Sequence, residues 1–66
     1  MQVTVNGEPR AIDDDVTVAG LIALFQLAPE RVAIEINERL VRRATFAETP
    51  VRAGDRIEIV TLVGGG

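Results

Sequence analysis

An α+β two-layer domain is the fold class predicted here, with one main helix packed on a four- or five-stranded sheet. Three observations predict it. Val3 and Val5 alternate with polar neighbours and run into Asn6-Gly7. A single stretch, Val18 to Phe25, carries apolar residues at helical spacing. Two later stretches, Val32 to Ile36 and Ile57 to Ile59, return to a period of two.

The elements follow in order. Val3 and Val5 between Gln2, Thr4 and Asn6 make a half-buried first strand. Asn6-Gly7 is a hairpin signal, because both central residues of a tight primed turn need positive φ. The return strand is expected over about Pro9 to Asp13, with Ile12 inward and Pro9 confined to a strand start or an edge. Thr17 is a helix N-cap, its hydroxyl placed to accept from an orphan backbone N–H. Asp13, Asp14 and Asp15 just upstream favour the positive end of the helix dipole. The helix is expected from Val18 to Leu27, with Val18, Leu21, Ile22 and Phe25 on one face and Pro29 ending it. Gly20 weakens it by about 1 kcal/mol relative to Ala and leaves room for close packing on a sheet.

Val32, Ile34 and Ile36 alternate with Ala33, Glu35 and Asn37 to give a third strand. Asn37-Glu38 is a turn and Leu40-Val41 a short fourth strand. Ala44 to Glu48, around Phe46, reads as a short irregular or helical turn. Ala53-Gly54-Asp55 is another turn. In the last strand Ile57 and Ile59 alternate with Arg56 and Glu58, and Val60, Leu62 and Val63 continue to Gly64, Gly65 and Gly66. The pattern leaves strand order open.

Composition narrows the function. Sixty-six residues make one domain at most, too little for a deep active-site cleft and a sufficient core together. The sequence holds no Cys, His, Ser, Lys, Tyr or Trp. Without Cys there is no disulfide, no thiolate nucleophile and no thiol to carry a persulfide. The usual zinc and iron ligand sets are missing. Thr hydroxyls and carboxylates are the only side-chain nucleophiles left, and Asp or Glu alone would do acid–base work. No metal, cofactor or catalytic residue is therefore assigned to the chain itself. A formal charge of −3 disfavours nucleic acid. Met1 to Asn6 lacks the basic start and apolar run of a signal peptide, and no run approaches a membrane span. A cytoplasmic protein, not membrane-bound, is expected.

The three terminal glycines carry the chemistry. They have no side chain to give to a core. Extended, they reach about 10 Å at ~3.3–3.6 Å per residue, and a partner's backbone can approach them closely. The result is a thin, flexible probe with a carboxylate at its tip. Gly-rich ends are usually frayed termini or linkers. Here the glycines abut an apolar strand with no Ser- or Pro-rich spacer. Joined to AMP by a partner enzyme, the carboxylate would become an activated acyl group. A sulfur nucleophile could then replace AMP and leave a thiocarboxylate on Gly66.

At these residues the sequence resembles a known family. Gln2-Val3-Thr4-Val5-Asn6-Gly7-Glu8 is similar to the opening of the thiamine-biosynthesis sulfur carrier proteins (ThiS). So is Val32-Ala33-Ile34-Glu35-Ile36-Asn37, followed by Val41 and Arg43. Gly54-Asp55-Arg56-Ile57-Glu58-Ile59-Val60 with Val63-Gly64-Gly65-Gly66 is the most specific match. The resemblance spans nearly the whole chain, although Asp13 to Asp15 and Ala44 to Pro50 carry no signature. It implies a ubiquitin-like β-grasp fold with a mixed sheet over residues 1–63, and a flexible tail at 64–66. It also implies adenylation of Gly66 by an activating enzyme that uses ATP and magnesium, followed by transfer of sulfur from a cysteine-derived donor. The thiocarboxylate would then give its sulfur to thiazole synthase, which makes the thiazole phosphate of thiamine. Gly65 and Gly66 match the family's essential terminal pair, and Gly66 its modified residue. The protein would be a substrate throughout, not an enzyme, and a monomer bound transiently to larger partners.

Other groups have competing readings. Val60, Leu62 and Val63 cannot all point inward, since strand side chains alternate faces. They form either a docking patch beside the tail or a strand covered on both faces by the chain itself. Arg39, Arg42 and Arg43 either meet acidic residues of an activating enzyme or, as favoured here, form a solvated loop. Asp13 to Asp15 lack the spacing of a calcium loop. Glu35 and Glu58 read as surface residues. Three further functions compete: the small subunit of molybdopterin synthase, a ubiquitin-like modifier, and a passive interaction module.

Overall fold

In a computed structural model, which describes residues 1–62, the chain forms one five-stranded sheet and one α-helix. Strand β1 (Gln2–Val5) leads through a tight turn into β2 (Glu8–Ala11). Asn6 and Gly7 take φ values of 51° and 85°, the positive pair that the turn requires. Helix α1 (Val18–Leu24) crosses to β3 (Val32–Ile36), which hairpins into β4 (Arg39–Val41). β5 (Arg56–Thr61) returns between β1 and β3. The spatial order is β2-β1-β5-β3-β4, with β1 and β5 parallel and the other neighbours antiparallel. The sheet is therefore mixed, and the strand leading to the terminal glycines lies at its centre.

The core is a single layer between sheet and helix. Val18, Leu21 and Ile22 from α1 are fully buried against Val3, Val5, Val32, Ile34, Ile57 and Ile59. Burying such side chains is worth about 1.5–3 kcal/mol each, so this face holds the domain together. Pro9 lies on an edge strand, where its missing N–H costs no ladder bond.

Several details differ from the sequence reading. β2 stops at Ala11, so Ile12 packs against the core from just beyond the strand. The helix ends at Leu24, three residues short of Leu27 and well before Pro29. Its end is closed by Gln26, whose φ is 58°. The Gln26 amide donates to Ala23 O at 2.9 Å and the Leu27 amide to Ile22 O at 3.1 Å. That pair of bonds is a Schellman cap built on a non-glycine residue. Phe25, expected on the buried face, is consequently only partly buried, with the Arg10 guanidinium 4.9 Å above its ring. A Cβ on Gly20 would meet only Thr17 Oγ1 and Val16 Cγ1, both at an ordinary 3.6 Å. Gly20 is thus not a close-packing site against the sheet.

The N-terminus of α1 is capped from two directions. Thr17 Oγ1 accepts from the Gly20 amide at 3.2 Å, as the sequence suggests. The Val18 and Ala19 amides donate to Thr49 O and Phe46 O. The segment after the short helical turn Arg43–Thr45 therefore folds back over the helix start, and it buries Phe46 to 5 % exposure and Val51 to 3 %. The aspartates lie upstream of the first turn, and Asp14 also accepts from the Met1 amino group at 3.1 Å.

Candidate functional site

Val63, Gly64, Gly65 and Gly66, and with them the domain boundary expected after Val63, lie outside the described residues. What the structure places is the platform from which those four residues continue.

That platform is the second half of β5. β1 pairs with β5 only at Thr4↔Arg56 and Val5↔Ile57. Beyond Ile57 the β1 backbone turns away, and the Asn6 side chain takes over. Its Oδ1 accepts from the Ile59 amide at 2.8 Å and its Nδ2 donates to the Ile59 carbonyl at 3.2 Å. A carboxamide used this way imitates one residue of a strand, satisfying a donor and an acceptor at once. On the other flank β3 pairs with β5 from Ile36↔Ile57 to Val32↔Thr61. The Leu62 amide adds one more bond, to Arg31 O at 2.7 Å.

Arg43 supports that last bond. Its Nε donates to Pro29 O at 3.0 Å and its Nη2 to Val32 O at 3.2 Å, so the guanidinium bridges carbonyls on both sides of Arg31. β4 is too short to reach Val32, since its pairing stops at Ile34↔Val41. Arg39, Arg42 and Arg43 are all exposed, as the solvated-loop reading expects, but the Arg43 guanidinium is in addition bonded to the backbone. The neighbouring residues give no hint of this role, because the two carbonyls come from a turn many positions upstream.

The turn end of β5 is held by a second network. Asp55, 9 % exposed, accepts from the Arg52 amide at 2.8 Å and from Asn37 Nδ2 at 3.1 Å. Asn37 Oδ1 in turn accepts from the Arg56 amide at 3.0 Å. From the sequence Asp55 reads only as a turn residue.

The face of the sheet turned away from α1 carries three of the four large exposed apolar side chains among the described residues, the fourth being Leu24 on α1. Val60 is 57 % exposed, Leu62 46 % and Leu40 69 %. Ile57 and Ile59 alternate with them into the core, so the chain's own elements cover one face of β5 and leave the other open. Glu58 and Glu35 are exposed register partners on the outer face, the surface position expected for both.

Elsewhere there is little chemistry. One surface depression is lined by apolar groups with Arg42 and Arg43, and another by Arg10, Ala11, Ile12, Leu24 and Phe25. Neither has a carboxylate or hydroxyl side chain in its lining. No group of three His, Cys, Asp or Glu side chains placed to hold a metal exists among the described residues. No helix among them is long and apolar enough to cross a membrane.

With this geometry in place, comparison with known proteins is decisive: residues 3–66 match the ThiS family. The chain belongs to the ThiS family. The sulfur carrier protein ThiS of Thermus thermophilus is 31 % identical over 64 residues, covering 97 % of this chain and 98 % of that protein. The crystal structure of the thiamine biosynthesis protein ThiS from Geobacter metallireducens superposes with a TM-score of 0.84 at 35 % identity, covering all of both chains. The ubiquitin-like β-grasp expected of a ThiS protein is thus the fold observed, with five strands in the sheet. A thiazole synthase of Magnetococcus marinus is 38 % identical over 66 residues, and there the ThiS-like chain spans only 20 % of the relative's length.

Proposed function

We propose that the protein carries sulfur to thiazole synthase as a thiocarboxylate on Gly66. An activating enzyme, using ATP and magnesium, joins the Gly66 carboxylate to AMP and releases pyrophosphate. A sulfur nucleophile derived from cysteine then attacks the acyl carbon, AMP leaves, and the sulfur remains on Gly66. Thiazole synthase takes that sulfur and returns the carboxylate.

The observation that carries this reading is the match to the ThiS family over residues 3–66, a span that includes the glycines. Two others support it. The chain has no Cys, His, Ser or Lys with which to form a covalent sulfur or acyl intermediate on a side chain. Thiazole synthases of Magnetococcus marinus and Paramagnetospirillum magneticum contain a ThiS-like segment within a much longer chain, which supports thiazole synthase as the partner. Gly64, Gly65 and Gly66 enter the partner's reaction chamber, where residues without a Cβ allow the closest approach. The body supplies the binding energy through Val60 and Leu62, continued by Val63. Both described members of that group lie on the open face of β5.

The test is intact mass after incubation with ATP, an activating enzyme and a sulfide source. One oxygen should be replaced by sulfur, and fragmentation should place the sulfur on the last glycine. A mass that stays unchanged, or sulfur found elsewhere, refutes the proposal.

A further inference from the structure

Resting on that carrier reading, we infer that Arg43 and Asn6 are positioning residues for tail delivery, because together they fix the backbone from which the terminal segment departs. The argument begins with strand lengths. β5 is the longest strand, and its terminal half has a backbone partner on one flank only, β3, whose own far end is in turn unpartnered by β4. The last backbone bond on the β1 side is from the Asn6 amide to Ile57 O at 2.8 Å, and β4 gives no partner to Val32 of β3. A strand end with one vacant flank, held by a partner strand that is itself unpartnered there, frays readily, since the free amides and carbonyls turn to water. Here two side chains fill the vacancies.

Asn6 holds both backbone groups of Ile59, at 2.8 and 3.2 Å. It does so from a residue already fixed by the hairpin turn, with φ at 51°. Arg43 holds Pro29 O and Val32 O, at 3.0 and 3.2 Å, across the residue whose carbonyl receives the Leu62 amide. The guanidinium fork suits this task, because its donors are planar and diverge at a fixed angle. Leu62 is therefore tied through Arg31 to a short helical turn, Pro29–Arg31, that Arg43 clamps.

The consequence for delivery is geometric. A tail entering a narrow chamber must leave the body at the angle the docked complex requires. Releasing either clamp spreads that angle over many directions while removing none of the docking side chains, Val60 and Leu62. The fraction of bound complexes with the acyl end in place then falls. This lowers kcat and spares KM.

The experiment uses the full chain with Arg43→Met, Asn6→Gly and, as a control, Val51→Ala. Met keeps most of the Arg stem, and Gly keeps the positive φ at position 6 without strain. Val51 is buried at 3 % exposure and bonds to Val16, away from the end of β5. It reports simple loss of stability. Thiocarboxylate formation is followed by mass at a temperature where circular dichroism shows every variant folded. Arg43→Met and Asn6→Gly should lose about tenfold in kcat with KM held within about twofold, and Val51→Ala should match the wild type. Amide hydrogen exchange gives a readout independent of activity: Leu62 in Arg43→Met, and Ile59 in Asn6→Gly, should exchange at least about tenfold faster, with Ile57 unchanged. Wild-type kcat in both clamp variants, an equal loss in Val51→Ala, or unaltered exchange at Leu62 and Ile59 overturns the inference. Failure of the wild type to gain sulfur overturns the carrier reading and the delivery role with it. The exchange rates would still show whether the clamps exist.

Discussion

Replacing Val60 and Leu62 together by Ser should weaken partner binding without harming the fold. Full burial of a Val or Leu side chain is worth about 1.5–3 kcal/mol. Val60 is 57 % exposed and Leu62 46 %, so roughly half of each side chain remains to be covered by a partner. The two then contribute about 1.5–3 kcal/mol between them, scaled from the same burial values. At 1.4 kcal/mol per factor of ten, this is about a 10- to 150-fold loss of affinity. The fold should tolerate the change, because neither residue belongs to the buried cluster and the Leu62 amide bond to Arg31 is a backbone bond. Calorimetric titration against thiazole synthase gives Kd, and initial rates with the activating enzyme give KM. Both should rise while the melting temperature moves little. If both constants match the wild type, β5 is not the docking strand and binding energy must come from another face.

Four stability predictions follow from the local geometry. Gln26→Gly removes a side chain from a left-handed position and should stabilise by about 0.5–1 kcal/mol, a rise of several degrees in Tm for a domain of this size; calorimetry showing no gain would discount the Schellman cap. Gly20→Ala adds a methyl group with room to fit, so urea unfolding should show a gain of up to about 1 kcal/mol. Phe46→Ala should cost about 3–5 kcal/mol, a large part of the stability of a 66-residue chain, and leave it substantially unfolded by circular dichroism. Asp55→Ala leaves the Arg52 amide and the Asn37 carboxamide without their acceptor. It should cost about 2–3 kcal/mol in chemical denaturation, whereas a loss below about 0.5 kcal/mol would mean that water replaces the carboxylate readily.

Much of the fold was legible because its signals are local. Asn6-Gly7 announced a primed turn, Thr17 a cap, and the alternation at Val32–Ile36 and Ile57–Ile59 the two strands whose inward residues are buried or, at Ile36, partly buried. Asn37-Glu38 also read as a turn, although a glutamate at φ 70° carries no composition signal for one. The errors arose where a distant partner decides the outcome. The early end of α1 depends on Gln26 accepting a conformation that Gly usually takes. Pro29 drew the expected end too far along the chain. The roles of Phe46, Asp55 and Arg43 depend on Ala19, Asn37, Pro29 and Val32, each at least eleven positions away. A periodicity scan sees none of these pairings. For the site the balance is reversed. The glycines are plain in the sequence, while the exposure of Val60 and Leu62 and the clamping of β5 needed three dimensions.

Sulfur transfer itself is the most direct test of the carrier role. Protein loaded with isotopically labelled sulfur at Gly66 should be mixed with thiazole synthase and its small-molecule substrates, and the label followed by mass in both products. The expected result is label in the thiazole ring, one atom per chain consumed, with Gly66 returned to a carboxylate. Label that stays on the protein while unlabelled thiazole accumulates would contradict the account.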